Sequence, residues 1–216
     1  MCRGVIFDMD GVLIDSHPIH KKVWSQFLAS VNRPVSDDEL DFVLDGRKRE
    51  EILRHFLGDL SEDRLKEYGR RKNELYAESS KDLRTIAGVE EFLASLEAAG
   101  LLMAVGTSAS FQRARDTLTV LGILPRFSAL VTGNDVANGK PDPEIFLRAA
   151  ERLNLAARNL LVVEDAVSGV KAAKAAGMKC LGIAANGRGG DLMAAGADHV
   201  IPDYSEISLQ AVQQLF

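Results

Sequence analysis

The sequence predicts an α/β fold in which a parallel sheet is covered by helices on both faces, with a small helical segment inserted after the first strand. Short apolar runs alternate with amphipathic helical patterns from Gly88 almost to the C-terminus. Such alternation is typical of parallel sheets buried on both faces. An earlier apolar run, Val5-Ile6-Phe7, stands alone near the N-terminus. Between them, residues 17–81 carry apolar residues at spacings of three and four, which indicates successive helices.

Length and composition narrow the class of protein. A chain of 216 residues corresponds to one large domain or to a domain with a smaller insert. The net charge of −5 gives no support to nucleic-acid binding. No apolar stretch reaches the roughly 18 residues that span a bilayer, and MCRGVIFDMDG lacks the apolar core of a signal peptide. We therefore expect a cytoplasmic protein without a membrane partner, in which Cys2 and Cys180 are buried or idle thiols.

The first strand, residues 3–8, ends in Asp8, Asp10 and Gly11. Two carboxylates two residues apart at a strand end point to roughly the same side, and their repulsion is costly unless a cation or a proton joins them. Mg²⁺ is usually held by one or two carboxylates together with phosphate oxygens and water. The alternative is a strand end with two solvated aspartates and a turn glycine. This stretch alone leaves both interpretations open.

The helical insert, defined here as residues 16–83, is predicted to be a small cap domain on a Rossmann-like catalytic core formed by residues 1–15 and 84–216. Ser36 with Glu39 has the pattern of a capping box, and Ser61 is typical of a helix start. The two crossings between insert and core are expected near residues 14–17 and 82–87. Trp24 and Phe27 are interpreted as packing residues.

From Gly88 the predicted elements alternate in order. Helices are predicted at GVEEFLASLEAAG, SFQRARDTLTVLG, PDPEIFLRAAERLNL, VSGVKAAKAAG and GGDLMAAGA. Strands are predicted at LLMAVGT, SALVTG, NLLVVED, MKCLGIA and DHVIPD.

Polar residues with possible chemical roles follow several of these strands. Thr107 and Ser108 follow one strand, Lys140 comes after the next, and Glu164 and Asp165 end a third. In open parallel sheets, ligands bind at the carboxyl edge where these strands end. Each residue also has a structural interpretation: Thr107 as a helix cap, Lys140 as a solvated loop charge, and the two acids as a cap for the next helix. Their joint occurrence favours a site.

Together these motifs resemble the haloacid dehalogenase-like (HAD) superfamily. FDMDGVLIDS, Thr107-Ser108, GKPDPEIF with Lys140, and VVEDAVSGVKAAKAAG occur in that family's order. The last two are similar to the branch that contains β-phosphoglucomutase and small sugar-phosphate phosphatases. The resemblance implies a HAD-like Rossmannoid core with a helical cap.

The resemblance also implies roles for the site residues. Asp8 would be the nucleophile, Asp10 the general acid and base, and Lys140 a positive charge beside them. Thr107 and Ser108 would hold phosphate oxygens. Mg²⁺ would be held by Asp8, the backbone carbonyl of Asp10, and Asp165, with Glu164 as a ligand or as a partner of the ligands.

The implied function is a Mg²⁺-dependent phosphatase of small phosphorylated metabolites, in particular sugar phosphates, that works through an aspartyl phosphate. A phosphomutase and a non-catalytic phosphate-binding regulator are the alternatives. His20 lies where β-phosphoglucomutase also has a histidine, and Arg49 matches a cap arginine that contacts the substrate phosphate there. Both are predicted to be substrate residues of the cap, against the alternative of a solvated helix face. Asp45 and Phe111 depart from the mutase pattern. We expect a monomer or weak dimer.

The basic runs at residues 47–49 and 70–72 are interpreted mainly as solvated helix faces, with steering of an anionic substrate as the alternative.

Overall fold

The computed structural model describes residues 1–81, 83–184 and 187–216. Within these ranges the strands form one six-stranded parallel sheet in the order β3-β2-β1-β4-β5-β6. The strands are β1 (Gly4–Phe7), β2 (Leu102–Gly106), β3 (Ala129–Val131), β4 (Leu160–Glu164), β5 (Lys179–Ile183) and β6 (His199–Ile201). The predicted fold class is confirmed.

Helices cover both faces of the sheet, and β1 lies at its centre. The helices are α1 (His17–Ser30), α2 (Arg49–Leu57), α3 (Glu62–Ser79), α4 (Val89–Ala98), α5 (Phe111–Val120), α6 (Glu144–Leu153), α7 (Val167–Ala175), α8 (Gly189–Ala194) and α9 (Leu209–Gln214). Alternate side chains of a strand point to opposite faces. Val5 and Phe7 accordingly pack in one apolar cluster and Ile6 in the other.

The helical insert has an apolar cluster of its own. Trp24, Phe27 and Leu53 are buried in it, which confirms the packing interpretation of the two aromatic residues. Helices α1 and α3 lie against each other, and α2 packs on α3.

The two predicted helix starts in the insert have different outcomes. Ser61 Oγ accepts a hydrogen bond from the backbone N–H of Arg64 and caps α3, as expected. Ser36 and Glu39 form the reciprocal bonds of a capping box, with Ser36 N–H donating to Glu39 Oε2 over 2.9 Å. The segment that follows, Glu39–Leu44, is a 3₁₀ helix rather than the expected α-helix. It is short, and the chain turns at Gly46, whose φ is 68°.

The two crossings between insert and core run side by side. Asp15 N–H donates to Arg84 O over 3.0 Å, and Ile86 N–H donates to Leu13 O over 3.1 Å. An antiparallel bridge joins Ile14 and Thr85 between these bonds. The predicted crossing regions therefore contact each other, although Asp82 lies outside the described residues.

The chain ends differ from prediction. The first strand spans Gly4–Phe7 instead of residues 3–8, and the last strand ends at Ile201 because Pro202 has no N–H for the ladder. A 3₁₀ turn at Tyr204–Glu206 and helix α9 were not predicted. Both contribute buried side chains, Tyr204 and Val212, to the core.

Cys2 and Cys180 are buried free thiols, as expected. None of the helices in the described parts of the chain combines the length and apolar character needed to cross a membrane.

Candidate active site

The carboxyl ends of the central strands meet at one cavity. Asp8 directly follows β1, Thr107 follows β2, and Asp165 follows β4. All three line a cavity of about 470 Å³ that the helical insert also borders. This volume is within the range of pockets that bind small molecules.

Lys140 is the centre of a buried ionic cluster beneath the cavity. Its Nζ donates to Asp8 Oδ1 over 2.7 Å and to Glu164 Oε1 over 2.5 Å. Lys140 is 1% exposed, so the interpretation as a solvated loop charge is wrong. Removing an ammonium group from water is energetically costly and is tolerated only when the group is paired with opposite charge. Here Lys140 is paired with two carboxylates.

The acidic groups outnumber the ammonium group in this cluster. Asp8, Glu164 and Asp165 each offer an oxygen, and the three atoms lie within 4.8 Å of one another. Burial raises the pKa of Asp8 to about 7 although Lys140 opposes the shift, and burial also raises the pKa of Glu164 and Asp165. The three carboxylates share the ammonium group of Lys140, so the cluster has an excess of negative charge when they are ionised. Oxygen donors with this excess of negative charge fit a hard divalent cation such as Mg²⁺.

The three carboxylates are not equally available to a cation. Both oxygens of Glu164 are engaged, Oε1 by Lys140 and Oε2 by the backbone N–H groups of Asp165 and Ala166. Asp165 Oδ2 is buried without an aligned hydrogen-bond donor in the described structure. His17 Nε2 lies 2.8 Å from it, a charge contact that outweighs burial and raises the pKa of His17.

Gly11 makes room for this arrangement. Its φ is 73°, a conformation that favours glycine, and a Cβ there would lie 2.2 Å from Asp165 Oδ2 and 2.4 Å from His17 Nε2.

Asp10 is held separately from the Lys140 cluster. Its Oδ1 accepts from Ser16 Oγ over 2.8 Å and from Arg113 Nη1 over 2.9 Å, and His20 Nε2 lies 3.0 Å away. Its Oδ2 accepts from Arg113 Nη2 over 2.6 Å. Burial alone would raise the pKa of Asp10, but Arg113 and His20 outweigh it and hold that pKa well below its usual value.

His20 is buried at the cavity instead of lying on a solvated helix face. Burial and the neighbouring Lys72 lower the pKa of His20 to about 4 although Asp10 opposes them. Lys72 Nζ lies 3.5 Å from His20 Nδ1 and 5.0 Å from the centre of the Tyr76 ring.

The interpretation of residues 70–72 as a solvated face is wrong for Lys72. Successive helical residues point about 100° apart, so neighbours in sequence can face opposite environments. Arg70 is 65% exposed in its side chain, whereas Lys72 is 4% exposed and burial lowers its pKa well below the usual value.

The loop before α2 connects the insert to the core around the cavity. Ser168 Oγ donates to Asp45 O, Ser108 Oγ donates to Gly46 O over 2.5 Å, and Lys48 Nζ donates to Val136 O over 2.9 Å. The interpretation of residues 47–49 as a solvated face is therefore wrong for Lys48.

Arg47 and Arg49 also line the cavity and are only partly exposed. Arg47 pairs with Asp45, whereas Arg49 pairs with Glu50 and crosses α3 where Gly69 leaves room.

The interpretation of Thr107 as a helix cap is correct in part. Its buried Oγ1 accepts from the backbone N–H of Ala109 over 3.2 Å and so stabilises the turn before α5.

Sequence reasoning missed Ser16, His17, Lys72 and Arg113 as residues of the site. Lys72 had a detectable signal, because it lies on the buried stripe of α3 with Leu65, Gly69 and Tyr76. Arg113 had no such signal, because the neighbouring Arg115 has the same side chain and the sequence does not distinguish the two.

Comparison with known proteins identifies the family of this chain. Residues 5–183 match the family model described as haloacid dehalogenase-like hydrolase. The chain belongs to this family of enzymes.

Relatives of this HAD-like enzyme include both phosphatases and mutases. It is 35% identical to a phosphorylated carbohydrates phosphatase of Thermotoga maritima over 82% of either chain. It is 30% identical to β-phosphoglucomutase of Bacillus subtilis, over 98% of this chain and 94% of the relative. The crystal structure of β-phosphoglucomutase from Clostridium difficile superposes with a TM-score of 0.89 at 26% identity, covering 100% of this chain and 97% of that one.

Proposed function

We propose that this enzyme is a phosphatase of small phosphorylated metabolites, in particular sugar phosphates, and that it forms an aspartyl phosphate on Asp8. The proposal rests on the observation that two carboxylates at one cavity are bound by different partners. Asp8 is paired with Lys140, whereas Asp10 is held by Arg113, Ser16 and His20. Two carboxylates in different environments can take different chemical roles.

Asp8 is suited to nucleophilic attack. Lys140 occupies Oδ1 of Asp8 and fixes the carboxylate, which leaves Oδ2 to attack phosphorus. The attack forms the Asp8–phosphorus bond and breaks the bond to the leaving oxygen, so that one displacement becomes two easier ones. Thr107 and Ser108 at the end of β2 are proposed to bind phosphate oxygens.

Asp10 is suited to proton transfer at the same cavity. Arg113 and His20 keep Asp10 ionised in the free site, so Asp10 first takes a proton from the bound phosphate monoanion and gives it to the leaving oxygen. Asp10 then takes a proton from the water that attacks the aspartyl phosphate. Water attack releases inorganic phosphate and restores Asp8. Lys140 remains charged throughout, because its pKa is raised by Asp8 and Glu164 in spite of burial.

Mg²⁺ is the proposed cofactor. The carboxylates of Asp8 and Asp165 and the backbone carbonyl of Asp10 would hold it, and Glu164 would fix Lys140 and the Asp165 backbone beside it. When bound, Mg²⁺ supplies positive charge that offsets repulsion between the substrate phosphate and the carboxylates.

Residues 16–83 are proposed to be a cap domain that closes over the core of residues 1–15 and 84–216. The paired crossing segments at Ile14 and Thr85 are a suitable hinge, and closure would exclude water from the cavity. His20 and Arg49 line the cavity from this side. They are proposed substrate contacts.

A phosphomutase of the β-phosphoglucomutase type is the second candidate, supported by the position of His20 and Arg49 at the cavity. Asp45 counts against it, because a mutase must hold two phosphate groups and Asp45 adds negative charge where the mutase pattern has a lysine. The carboxylate of Asp45 instead pairs with Arg47.

The test is an assay of released phosphate and isomerised sugar phosphate on a panel of sugar phosphates, including β-glucose 1-phosphate primed with a bisphosphate. We expect free phosphate from several substrates, loss of activity in EDTA and recovery with Mg²⁺. Isomerisation without phosphate release would assign the mutase function instead.

The D8N variant tests the nucleophile, and D37N, at an exposed aspartate, is the matched control. D8N is expected to lower kcat by more than about 10³-fold because the attacking oxygen is lost. D37N should match the wild type. Turnover by folded D8N would contradict the mechanism, and substrate binding without turnover in the wild type would indicate a non-catalytic binder.

A further inference from the structure

Arg113 is the one residue at Asp10 that contacts both carboxylate oxygens in the described structure. Ser16, His20 and Arg113 Nη1 all approach Oδ1, whereas Arg113 Nη2 alone donates to Oδ2. Contacts to Oδ1 restrain that oxygen but leave Oδ2 without a donor. A two-pronged guanidinium contact fixes the plane of the carboxylate.

The crowding at Oδ1 distinguishes the two oxygens of Asp10. A carboxylate oxygen has about two lone-pair sites, and three groups already compete for those of Oδ1. Oδ2 has one donor and keeps a site that faces no other donor of the described residues. Oδ2 is therefore the oxygen that can carry a proton to or from a bound substrate.

Arg113 is itself firmly placed. Its side chain is 11% exposed, and its guanidinium lies 5.0 Å from the centre of the Tyr76 ring. Arg113 belongs to α5 of the core, whereas Ser16 and His20 lie at the start of α1 in the helical insert. Asp10 is thus contacted both from α5 of the core and from the start of α1 in the insert.

We propose that Arg113 is a positioning residue that fixes the Asp10 carboxylate so that Oδ2 faces the reacting oxygen of the substrate. This inference rests on the proposed function, since it assigns a geometric role in the same proton transfer. It predicts that loss of Arg113 impairs reactions that need this proton and spares those that do not.

The variants are R113M and R113K, with R115M as the matched control on the exposed side of the same helix. Two reactions are compared. Hydrolysis of a sugar phosphate requires protonation of a poor alkoxide leaving group. The pre-steady-state burst of 4-nitrophenolate from 4-nitrophenyl phosphate reports attack by Asp8 with a leaving group that needs no proton.

R113M is expected to lower kcat for the sugar phosphate by roughly 10- to 100-fold, because a misplaced proton donor loses much of its catalytic contribution. KM and the nitrophenolate burst rate should stay within about threefold of the wild type. The kcat of R113K for the sugar phosphate should be intermediate, because lysine keeps the positive charge but lacks the planar pair of N–H donors that contacts both carboxylate oxygens. R115M should match the wild type.

A purely structural role would slow both reactions together, and that outcome would overturn the proposal, as would a sugar-phosphate kcat that R113M leaves unchanged. Full activity of R113K would assign the effect to charge rather than orientation and would also overturn it. A wild-type enzyme that is inactive toward every phosphate ester would instead overturn the proposed function.

Solution NMR provides a readout that does not need turnover. In ¹⁵N spectra of the Mg²⁺-loaded wild type, rotation of both Arg113 Nη groups should be hindered, and D10N should release at least one of them. Freely rotating Nη groups in the wild type would show that the two-pronged contact does not exist in solution.

Discussion

At the scale of single residues, Lys140 illustrates how one buried charge organises a site. It touches a carboxylate from the end of β1 and another from the end of β4, which are neighbours in the sheet. Its ammonium group offsets repulsion between Asp8 and Glu164, which would otherwise have to be relieved by protonation. The same residue therefore contributes to the stability of the fold and to the charge of the site.

We predict that K140M lowers the free energy of unfolding by about 3–5 kcal/mol in EDTA at neutral pH, because two buried carboxylates lose their partner. Removing the cation raises the pKa of Asp8 further in the folded state. A carboxylate with a raised folded-state pKa destabilises the fold above that pKa, so the deficit should shrink as the pH falls.

Urea unfolding at several pH values measures this deficit, with exposed K171M as the control. A deficit below 1 kcal/mol, or one that grows as the pH falls, would contradict this account of Lys140.

The core residues of the site were predictable from sequence because each is fixed to the end of an apolar strand. Asp8, Glu164 and Asp165 come together by sheet topology alone. Lys72 and Arg113 were not predictable in this way. Their contacts with His20 and Asp10 depend on how helices from distant parts of the chain pack, which helical periodicity does not determine.

At the scale of elements, α3 combines a packing role with a place at the cavity. Its buried stripe includes Gly69, where a Cβ would lie 2.5 Å from Arg49 Cζ. Glycine costs roughly 0.5–1 kcal/mol relative to alanine inside a helix. Gly69 therefore lowers the stability of α3 but leaves space for the side chain of Arg49, which lines the cavity.

We predict that G69A separates these two effects. The helix gains up to about 1 kcal/mol of stability from alanine, while the guanidinium of Arg49 is displaced and KM for the sugar phosphate rises about 3- to 10-fold. Thermal unfolding and steady-state kinetics measure the two effects. In the control G190A, the new Cβ meets open space. An unchanged KM would indicate that Arg49 does not contact the substrate.

Element types were predictable where the pattern is long, as in α3 with its eighteen residues. Short segments were less predictable. The capping box at Ser36 marks the correct place, but six residues before a turn form a 3₁₀ helix. The pattern of α9 is too short to distinguish from a loop. The helix is held in place by the Ser208 cap, by packing on α4 and by hydrogen bonds between Gln213 and the backbone of Cys2.

At the scale of the whole molecule, the proposed binding of Mg²⁺ by the carboxylate cluster would couple metal binding to stability. A ligand that binds only the folded chain stabilises it by about 2.7 kcal/mol at a hundredfold excess over Kd. We predict that Mg²⁺ raises the Tm of the wild type, and that D165N loses most of this shift because a proposed ligand oxygen is replaced.

D37N, at an exposed position, should show the full shift. Thermal scans with Mg²⁺ and with EDTA measure both. Equal shifts in D165N and the wild type would place the cation elsewhere.

The position of β1 has a consequence for biosynthesis. Its first residue, Gly4, pairs with Leu102 on one side and with Leu160 on the other. During translation this apolar strand leaves the ribosome long before either partner exists. Distant pairing of this kind slows folding and leaves a strand exposed to other chains. Chains interrupted before β4 would carry every residue of the helical insert and the proposed nucleophile Asp8, yet lack the strand that pairs with β1 on its other side. Such fragments are expected to be targets for chaperones.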